Sequence, residues 1–454
     1  MNAQEEIASL KEQLTQALEA LAMTQEQLRV ALARIEELEA KKPPPAFVKA
    51  NVVKPKEKKA RKKRLPEQNG VRRRETPTQI VEHRIDTCPT CSLRLGGISL
   101  ARSRQVIELP DPVPVEIIEH RIYKGWCASC RTWHEAPSSM QGVVLGQGRI
   151  GVRIASLIGY LRTVLRVPIR QIRAYLESVH ALSLSSGEVV EVLHALENAT
   201  QESVATIKAS IQASDAVQAD ETGWREDGNN GYIWSLCTPT HRYYEYHHSR
   251  GSQVVEQLLG KTFEGVLGSD FYAAYNSYQG RHQRCWVHLL RDIHHLKDQY
   301  PTDEALWTWA AQVKACYERA QTYTGPSPGL TPRHHQKERA REQHRYEQEV
   351  WALCQPYAHS DVPMHTLCER IERFLPELFL FVAVPGVPSH NNLAERSVRP
   401  LVIARKISGG SRSPKGSHTR MSLASLFGTW MAQGLNPFRE CLALLSQPTS
   451  LPQP

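Results

Sequence analysis

The sequence predicts a multidomain α+β protein, and three observations predict it. Residues 4–40 carry an unbroken heptad repeat. Two C-x-x-C pairs stand in the first third of the chain, with 35 residues between them. Between residues 213 and 300 helical periodicity gives way to short alternating or apolar runs, two of which end in aspartate. At 454 residues the length suits about three domains. No apolar run reaches the roughly 18 residues that span a bilayer. The longest lies near Leu378–Val384, and the acidic, polar N-terminus is no signal peptide. A cytoplasmic protein without a membrane partner is expected.

In the heptad, position a holds Ile7, Leu14, Leu21, Leu28 and Ile35, and position d holds Leu10, Ala17, Thr24, Ala31 and Leu38. Apolar a and d positions with Glu, Gln and Lys elsewhere read as a coiled coil over residues 1–40, which points to a homo-oligomer, a dimer in its simplest form. Lys41-Lys42-Pro43-Pro44-Pro45 ends that helix. Residues 41–80 then form a basic linker. Lys41–Thr78 holds 14 Lys or Arg against three Glu, a net of +11, while the whole chain is at +9. The basicity therefore belongs to one segment, as in an arm that lies on a polyanion. Lys58, Lys59, Arg61, Lys62, Lys63, Arg64, Arg72, Arg73 and Arg74 are its candidate DNA-binding residues. A bZIP arrangement is excluded, because there the basic helix precedes the zipper.

Residues 81–140 read as a zinc-ribbon-like module. Cys88, Cys91, Cys127 and Cys130 supply four thiolates for a closed structural Zn²⁺ site, and Val113–Tyr123 between them alternates like a strand. His83, His120 and His134 stand near enough in sequence to replace a thiolate. The other six cysteines are scattered singly, which suits a reducing compartment.

Residues 148–212 read as a helical domain. Pro168–Ser178 and Ser185–Leu196 resemble a helix-turn-helix pair, with Ser185 or Ser186 as N-cap of the second helix. Glu188 and Glu191 on that helix argue against deep reading of a major groove.

Residues 213–300 predict strands at Val217–Glu221, Tyr232–Cys237, Arg242–Tyr246, Val266–Ser269 and Arg284–Val287, with helices at Ser252–Leu259, Tyr272–Tyr278 and from His288. This β-β-β-α-β-α-β order, with Asp220 and Asp270 at the ends of the first and fourth strands, matches a ribonuclease-H-like α/β catalytic domain. Residues 301–383 would be a helical insertion in it, residues 384–425 its completion and residues 426–454 a helical tail. Glu395, in Ser389–Pro400, follows Asn391 and Asn392 as possible caps. Two strand-end aspartates and a helical glutamate offer the hard oxygen ligands Mg²⁺ prefers. Two ions about 4 Å apart suit phosphoryl transfer. Glu221 should face the other side of its strand. Glu369, Glu372 and Glu377 compete with Glu395 but look like exposed ion pairs. Arg396, Arg399, Arg405, Lys406, Arg412, Lys415 and Arg420 follow with no acid among them, as a phosphate-holding run would. Gly409-Gly410 would let backbone approach a strand closely.

ADETGW at 219–224, GYIWSLCTP at 231–239, DFYAAY at 270–275, CWVHLLRDI at 285–293, NNLAERSVRP at 391–400 and ARKISGGSRS at 404–413 resemble the DDE-class insertion-sequence transposases of the family numbered sixty-six. The module order fits as well, so the resemblance covers nearly the whole chain. It implies a DDE triad at Asp220, Asp270 and Glu395, Mg²⁺ or Mn²⁺ as cofactor, and cleavage and joining of element ends. It also implies double-stranded DNA as partner, small accessory proteins of the element, and a place on the nucleoid. Cys285 and His288 form a C-x-x-H that either orients DNA or binds a further metal, or else simply packs a helix start. Two other functions stay open: a non-catalytic zinc-containing DNA-binding protein, and a nuclease of the same fold that does not join strands.

Overall fold

A computed structural model describes Leu14, Leu18 and residues 21–33, 76–97, 99–107, 115–137, 139–146, 148–260, 263–325 and 331–446. The chain divides into two units, Met1–Glu108 and Leu109–Pro454. In the first, residues 21–33 form helix α1, and the heptad residues Leu14, Leu21 and Leu28 are exposed. Ile7, Leu10, Ala17, Ile35, Leu38 and the basic residues from Lys58 to Arg74 lie outside the described residues. The Cys88–Cys91 turn closes by Ser92 N donating to the Cys88 carbonyl and Cys88 N to the Leu93 carbonyl, with Ser92 at φ 59°.

The second unit opens with an antiparallel hairpin, β1 (Lys124–Cys127) and β2 (Thr132–Glu135). Cys127 and Cys130 sit at its turn, followed by Arg131 at φ 49°. The strand expected over Val113–Tyr123 does not form in its described part: residues 115–123 are irregular and the strands flank the second cysteine pair instead. Alternation needs a neighbouring edge to satisfy the backbone, and Ile117, Ile118 and Ile122 are exposed.

Three helices follow: α2 (Val152–Thr163), α3 (Ile169–His180) and α4 (Ser186–Gln212). Ser185 is the N-cap of α4 in a full capping box, with Glu188 N to Ser185 Oγ at 3.1 Å and Ser185 N to Glu188 Oε2 at 2.8 Å. Arg149 also binds Glu188 at 2.6 Å. Glu188, one of the two acids that argued against groove reading, is thus a capping residue. At 27 residues α4 far outruns the expected segment. Val189, Leu196, Ile207 and Ile211 bury it along its length, so it is a core helix.

The five-stranded sheet comprises β3 (Ala216–Glu226), β4 (Asn229–Cys237), β5 (Arg242–His247), β6 (Val266–Ser269) and β7 (His282–Arg284), in the order β5-β4-β3-β6-β7. β3, β4 and β5 are antiparallel, and β6 and β7 run parallel to β3. Asp227-Gly228, both at positive φ, make the two-residue turn from β3 to β4. Helix α5 (Ser252–Leu259) crosses from β5 to β6. β7 begins at His282, two residues before the expected Arg284, because α6 (Trp286–Gln299) already begins where the strand was expected to continue.

The insertion consists of α7 (Glu304–Thr322), α8 (Pro332–Cys354), α9 (His365–Arg373), α10 (Leu375–Leu378) and α11 (Leu380–Ala383). It has its own core around Trp286, Trp309, Val350 and Phe379. The chain then returns as α12 (Asn392–Ser408), α13 (Pro414–Ala432) and α14 (Pro437–Ser446). Trp234 of β4 packs into a core with Ile158, Leu196, Ile211 and Phe427, whereas its neighbour Ile233 faces Leu401 and Met421 on the other side. Residues 148–212 therefore share their core with the sheet and do not stand apart from it.

Candidate active site

Strand register brings the two aspartates together. Gln218 of β3 pairs with Gly268 of the parallel β6. Two residues on along each chain come Asp220 and, just past the end of β6, Asp270. Neighbouring strands lie about 4.8 Å apart and side chains alternate, so both acids sit at one level and on one face. Tyr272 N donates to Asp270 Oδ1 at 2.9 Å, and Glu221 N to Asp220 Oδ1 at 3.0 Å. Glu221 points the other way, as expected, and is bound at 2.6 Å by both Tyr275 and Arg250.

Glu395 enters from the first turn of α12, and that turn is fastened to β3. Asn391 occupies the N-cap position, but its side chain caps nothing. Its Nδ2 donates to the Ala219 carbonyl at 2.7 Å. The capping role falls to Gln218, whose Oε1 accepts from Leu393 N and Ala394 N at 3.2 and 3.4 Å. Gln218 and Ala219, the two residues before Asp220, thus bind its strand to the helix of Glu395. A second tie runs to α6, with Asn391 N donating to Cys285 Sγ and Trp286 N to the Ser389 carbonyl.

The electrostatics follow from this crowding. Burial pushes the Asp220 carboxyl up to about 7, and the charges of Glu221, Asp270 and Glu395 add to the shift. Glu395 Oε1 is buried without a hydrogen bond. His288 Nε2 and Arg291 stand off at 3.4 and 3.8 Å, too distant or misaligned to satisfy it. The C-x-x-H is divided between two tasks: Cys285, its thiol raised by burial, anchors Asn391, and His288 faces Glu395.

The rival acids sort differently. Glu377 is not an exposed ion pair: it binds Arg284 at 2.6 Å, and Arg284 is only 1% exposed. Arg284 in turn donates to the Asp270 carbonyl at 2.9 Å and to Asn276. Glu377 therefore supports the backbone at Asp270 from behind. Glu369 lines a cavity of about 600 Å³ together with Asp270, His288, Asp292, Arg370 and Arg373, so the insertion borders the carboxylates. Gln218, Arg284 and the insertion arginines were not singled out from sequence. The signal for Gln218 was a polar residue between the apolar Val217 and Ala219.

Of the cations after Glu395, Arg396, Arg399, Lys406, Arg412 and Lys415 are exposed. Two are committed inward. Arg405 donates to the Gly223 carbonyl and Thr222 Oγ1 of β3, and Arg420 is buried and donates to the Arg162 carbonyl at 3.1 Å. Gly410, at φ 121°, lies where a Cβ would meet the Arg225 carbonyl, so the close approach it permits is to β3.

Among the described residues, the ligand atoms of Cys127, Cys130 and His134 lie within 4.8 Å of one another, and the carboxylates do not. Backbone and side-chain hydrogen bonds within each turn hold the Cys88 and Cys127 thiols below their ordinary range. Both turns end in a left-handed residue after the second cysteine. The two turns are alike in conformation, and each stabilises a thiolate.

The chain matches the pattern described as "Transposase IS66 family" over residues 147–419. It is also similar to the "Uncharacterized protein y4jO" of Sinorhizobium fredii, 27% identical over 183 residues, 38% of this chain and 51% of that protein. The chain spans about half the length of this curated relative.

Proposed function

This chain belongs to the IS66 family of transposases, and on that footing we propose that it binds the ends of its insertion element and catalyses cleavage and transfer of DNA strands through Asp220, Asp270 and Glu395. The observation that supports this reading is the fastening of the first turn of α12, which carries Glu395, to the strand of Asp220 by Asn391 and Gln218. The strand order, with three antiparallel strands and two parallel ones beside the first, supports a ribonuclease-H-like catalytic domain interrupted by a helical insertion.

The donor set fits divalent cations. It is all oxygen, one oxygen is buried and orphaned, and Asp220 is pushed toward neutrality by burial and by the charges of Glu221, Asp270 and Glu395. Phosphoryl transfer takes two such ions, Mg²⁺ or Mn²⁺, about 4 Å apart. Ions held there supply charge to the attacking and leaving oxygens of a phosphoryl transfer. The protein's own part is positional. Arg284 and Tyr272 fix Asp270, Glu221 is kept out by Arg250 and Tyr275, and Arg396, Arg399, Lys406 and Arg412 hold phosphates without reading bases. The basic residues between Lys58 and Arg74 add sequence-independent affinity. A structural Zn²⁺ on Cys88, Cys91, Cys127 and Cys130, dimerisation through residues 1–40, accessory proteins and a cytoplasmic, nucleoid location complete the reading. No described helix is long and apolar enough to cross a membrane.

The test is an assay with labelled element ends, a plasmid target and Mg²⁺. Asp270→Asn abolishes cut and joined products while leaving DNA affinity within a few-fold. Cut product without joined product in the unaltered protein means a nuclease, and binding without any cleavage means a DNA-binding protein.

A further inference from the structure

A second cavity, of about 270 Å³, lies beside the other face of α12. Arg166 from the loop between α2 and α3, Arg242 at the start of β5, Arg396 of α12 and Arg420 of α13 converge on it, and its lining contains no carboxylate. Among the described residues, none of these four pairs with an acid. Arg420 is 8% exposed, and its hydrogen bond goes to the Arg162 carbonyl. Arg242 likewise donates to the carbonyls of Thr238 and His241. Thr163 Oγ1, also on the lining, is buried without a partner. Arg166 is held at φ 60°, a conformation that a long side chain rarely adopts.

Bringing like charges together out of water is unfavourable unless an opposite charge joins them. Among the described residues, the protein supplies none here. The cost is visible in Arg420, whose guanidinium is lowered to about 9 by burial and by Arg162 and Arg166. Guanidinium groups present paired donors that match phosphate oxygens. We propose that this cavity is a binding site for a phosphate group, clamped by Arg166, Arg242, Arg396 and Arg420.

The site is separate from the carboxylates. Leu393, Arg396, Ser397 and Leu401 line it and share one face of α12, while Glu395 falls on the opposite face at about 100° per residue. The phosphate held there is therefore not the one under attack. One source is a backbone phosphate of a DNA strand passing behind α12, a source that rests on the function proposed above. The other is a free polyphosphate anion, whose occupancy of the same clamp needs no DNA.

Pyrophosphate is the probe for the site itself, used on the full chain in EDTA so that the carboxylates bind no metal. The expected result is a saturable rise in Tm of about 2 °C or more. Sodium chloride at matched ionic strength should not reproduce it. The rise should be lost in Arg166→Gln and in Arg396→Gln, both substitutions outside the packed core. A duplex oligonucleotide is the second probe. If Arg166→Gln also weakens its binding several-fold and lowers the salt slope by about 1, the occupant is a DNA phosphate. If the pyrophosphate effect is lost but DNA binding is unchanged, the occupant is a free phosphate compound. Absence of a saturable pyrophosphate effect, or one that survives both substitutions, overturns the site. The pyrophosphate arm uses neither DNA nor catalysis, so the function proposed above can fail while this site stands.

Discussion

Replacing Glu395 and Glu377, each by Gln, should give opposite outcomes, because the two carboxylates are partnered in opposite ways. Glu395 Oε1 is buried, accepts no hydrogen bond and sits among acids that raise Asp220. Glu395→Gln removes a repelling charge, so the metal-free protein should unfold at an unchanged or slightly higher temperature. The same substitution deprives the proposed metal site of a charged ligand. Strand transfer should fall by about a hundredfold or more, the scale of losing one preorganised electrostatic contact. Glu377 is the reverse. Its partner Arg284 is 1% exposed and holds the Asp270 carbonyl. Breaking a fully buried pair costs about 3–5 kcal/mol. Glu377 itself is 33% exposed, so solvent screening reduces this to about 1–3 kcal/mol. Glu377→Gln should therefore lower Tm by several degrees and retain most activity below that temperature. Thermal unfolding in EDTA beside the labelled-end assay reads both effects. A stable, inactive Glu377→Gln with an active Glu395→Gln would refute the triad and the assignment of α12 to the site.

Three further outcomes follow from the same residues. Asp220 has its folded-state pKa raised to about 7 from an ordinary 3.8. Its contribution to stability is therefore present below about pH 4 and lost as pH rises through 7. In EDTA the protein should lose stability across that window relative to Asp220→Asn. Mg²⁺ affinity should rise about tenfold per pH unit up to 7, because binding expels one proton; a pH-independent affinity would remove Asp220 from the ligand set. Elemental analysis should find about one Zn²⁺ per chain, and Cys127→Ser should release it. Loss on Cys88→Ser with Cys91→Ser, and retention in His134→Ala, selects the four-thiolate set. The opposite pattern selects His134 as third ligand, and no zinc in folded protein sinks the module. Deleting residues 1–40 should lower the oligomeric state by light scattering and weaken pairing of two ends more than binding to one, whereas an unchanged oligomer would show that the heptad does not dimerise the chain.

What was legible in the sequence, and what was not, divides along a physical line. Strands β3 to β6 were legible because buried strands concentrate apolar residues and turn residues such as Asp227-Gly228 punctuate them. Asp270 was legible because it ends such a run; Asp220 was expected at a strand end too, but β3 continues past it to Glu226 through its pairing with β4, and parallel register with β6 still brings the two acids to one level. The insertion was legible as helix because its periodicity is local. Contacts between segments far apart in the chain were not legible, since no local pattern encodes a partner 170 or more residues away. Asn391 looked like a cap and is in that position, yet its amide goes to Ala219 and the cap comes from Gln218, 172 and 175 residues away from their respective partners. Glu377 looked like surface because the helix before it, His365–Arg373, is rich in charge, and only the fold reveals that Arg284 behind it is buried. Composition misled similarly after Glu395. An acid-free run of cations suggests a single phosphate-facing surface, but this run spans α12, the loop after it and the start of α13, and each helix turns about 100° per residue. Arg405 is thereby sent to β3, Arg420 into the arginine cavity, and Arg399, Lys406 and Arg412 to solvent. A surface that holds DNA must therefore be argued from the cations the fold leaves free, and those are fewer than the sequence offers.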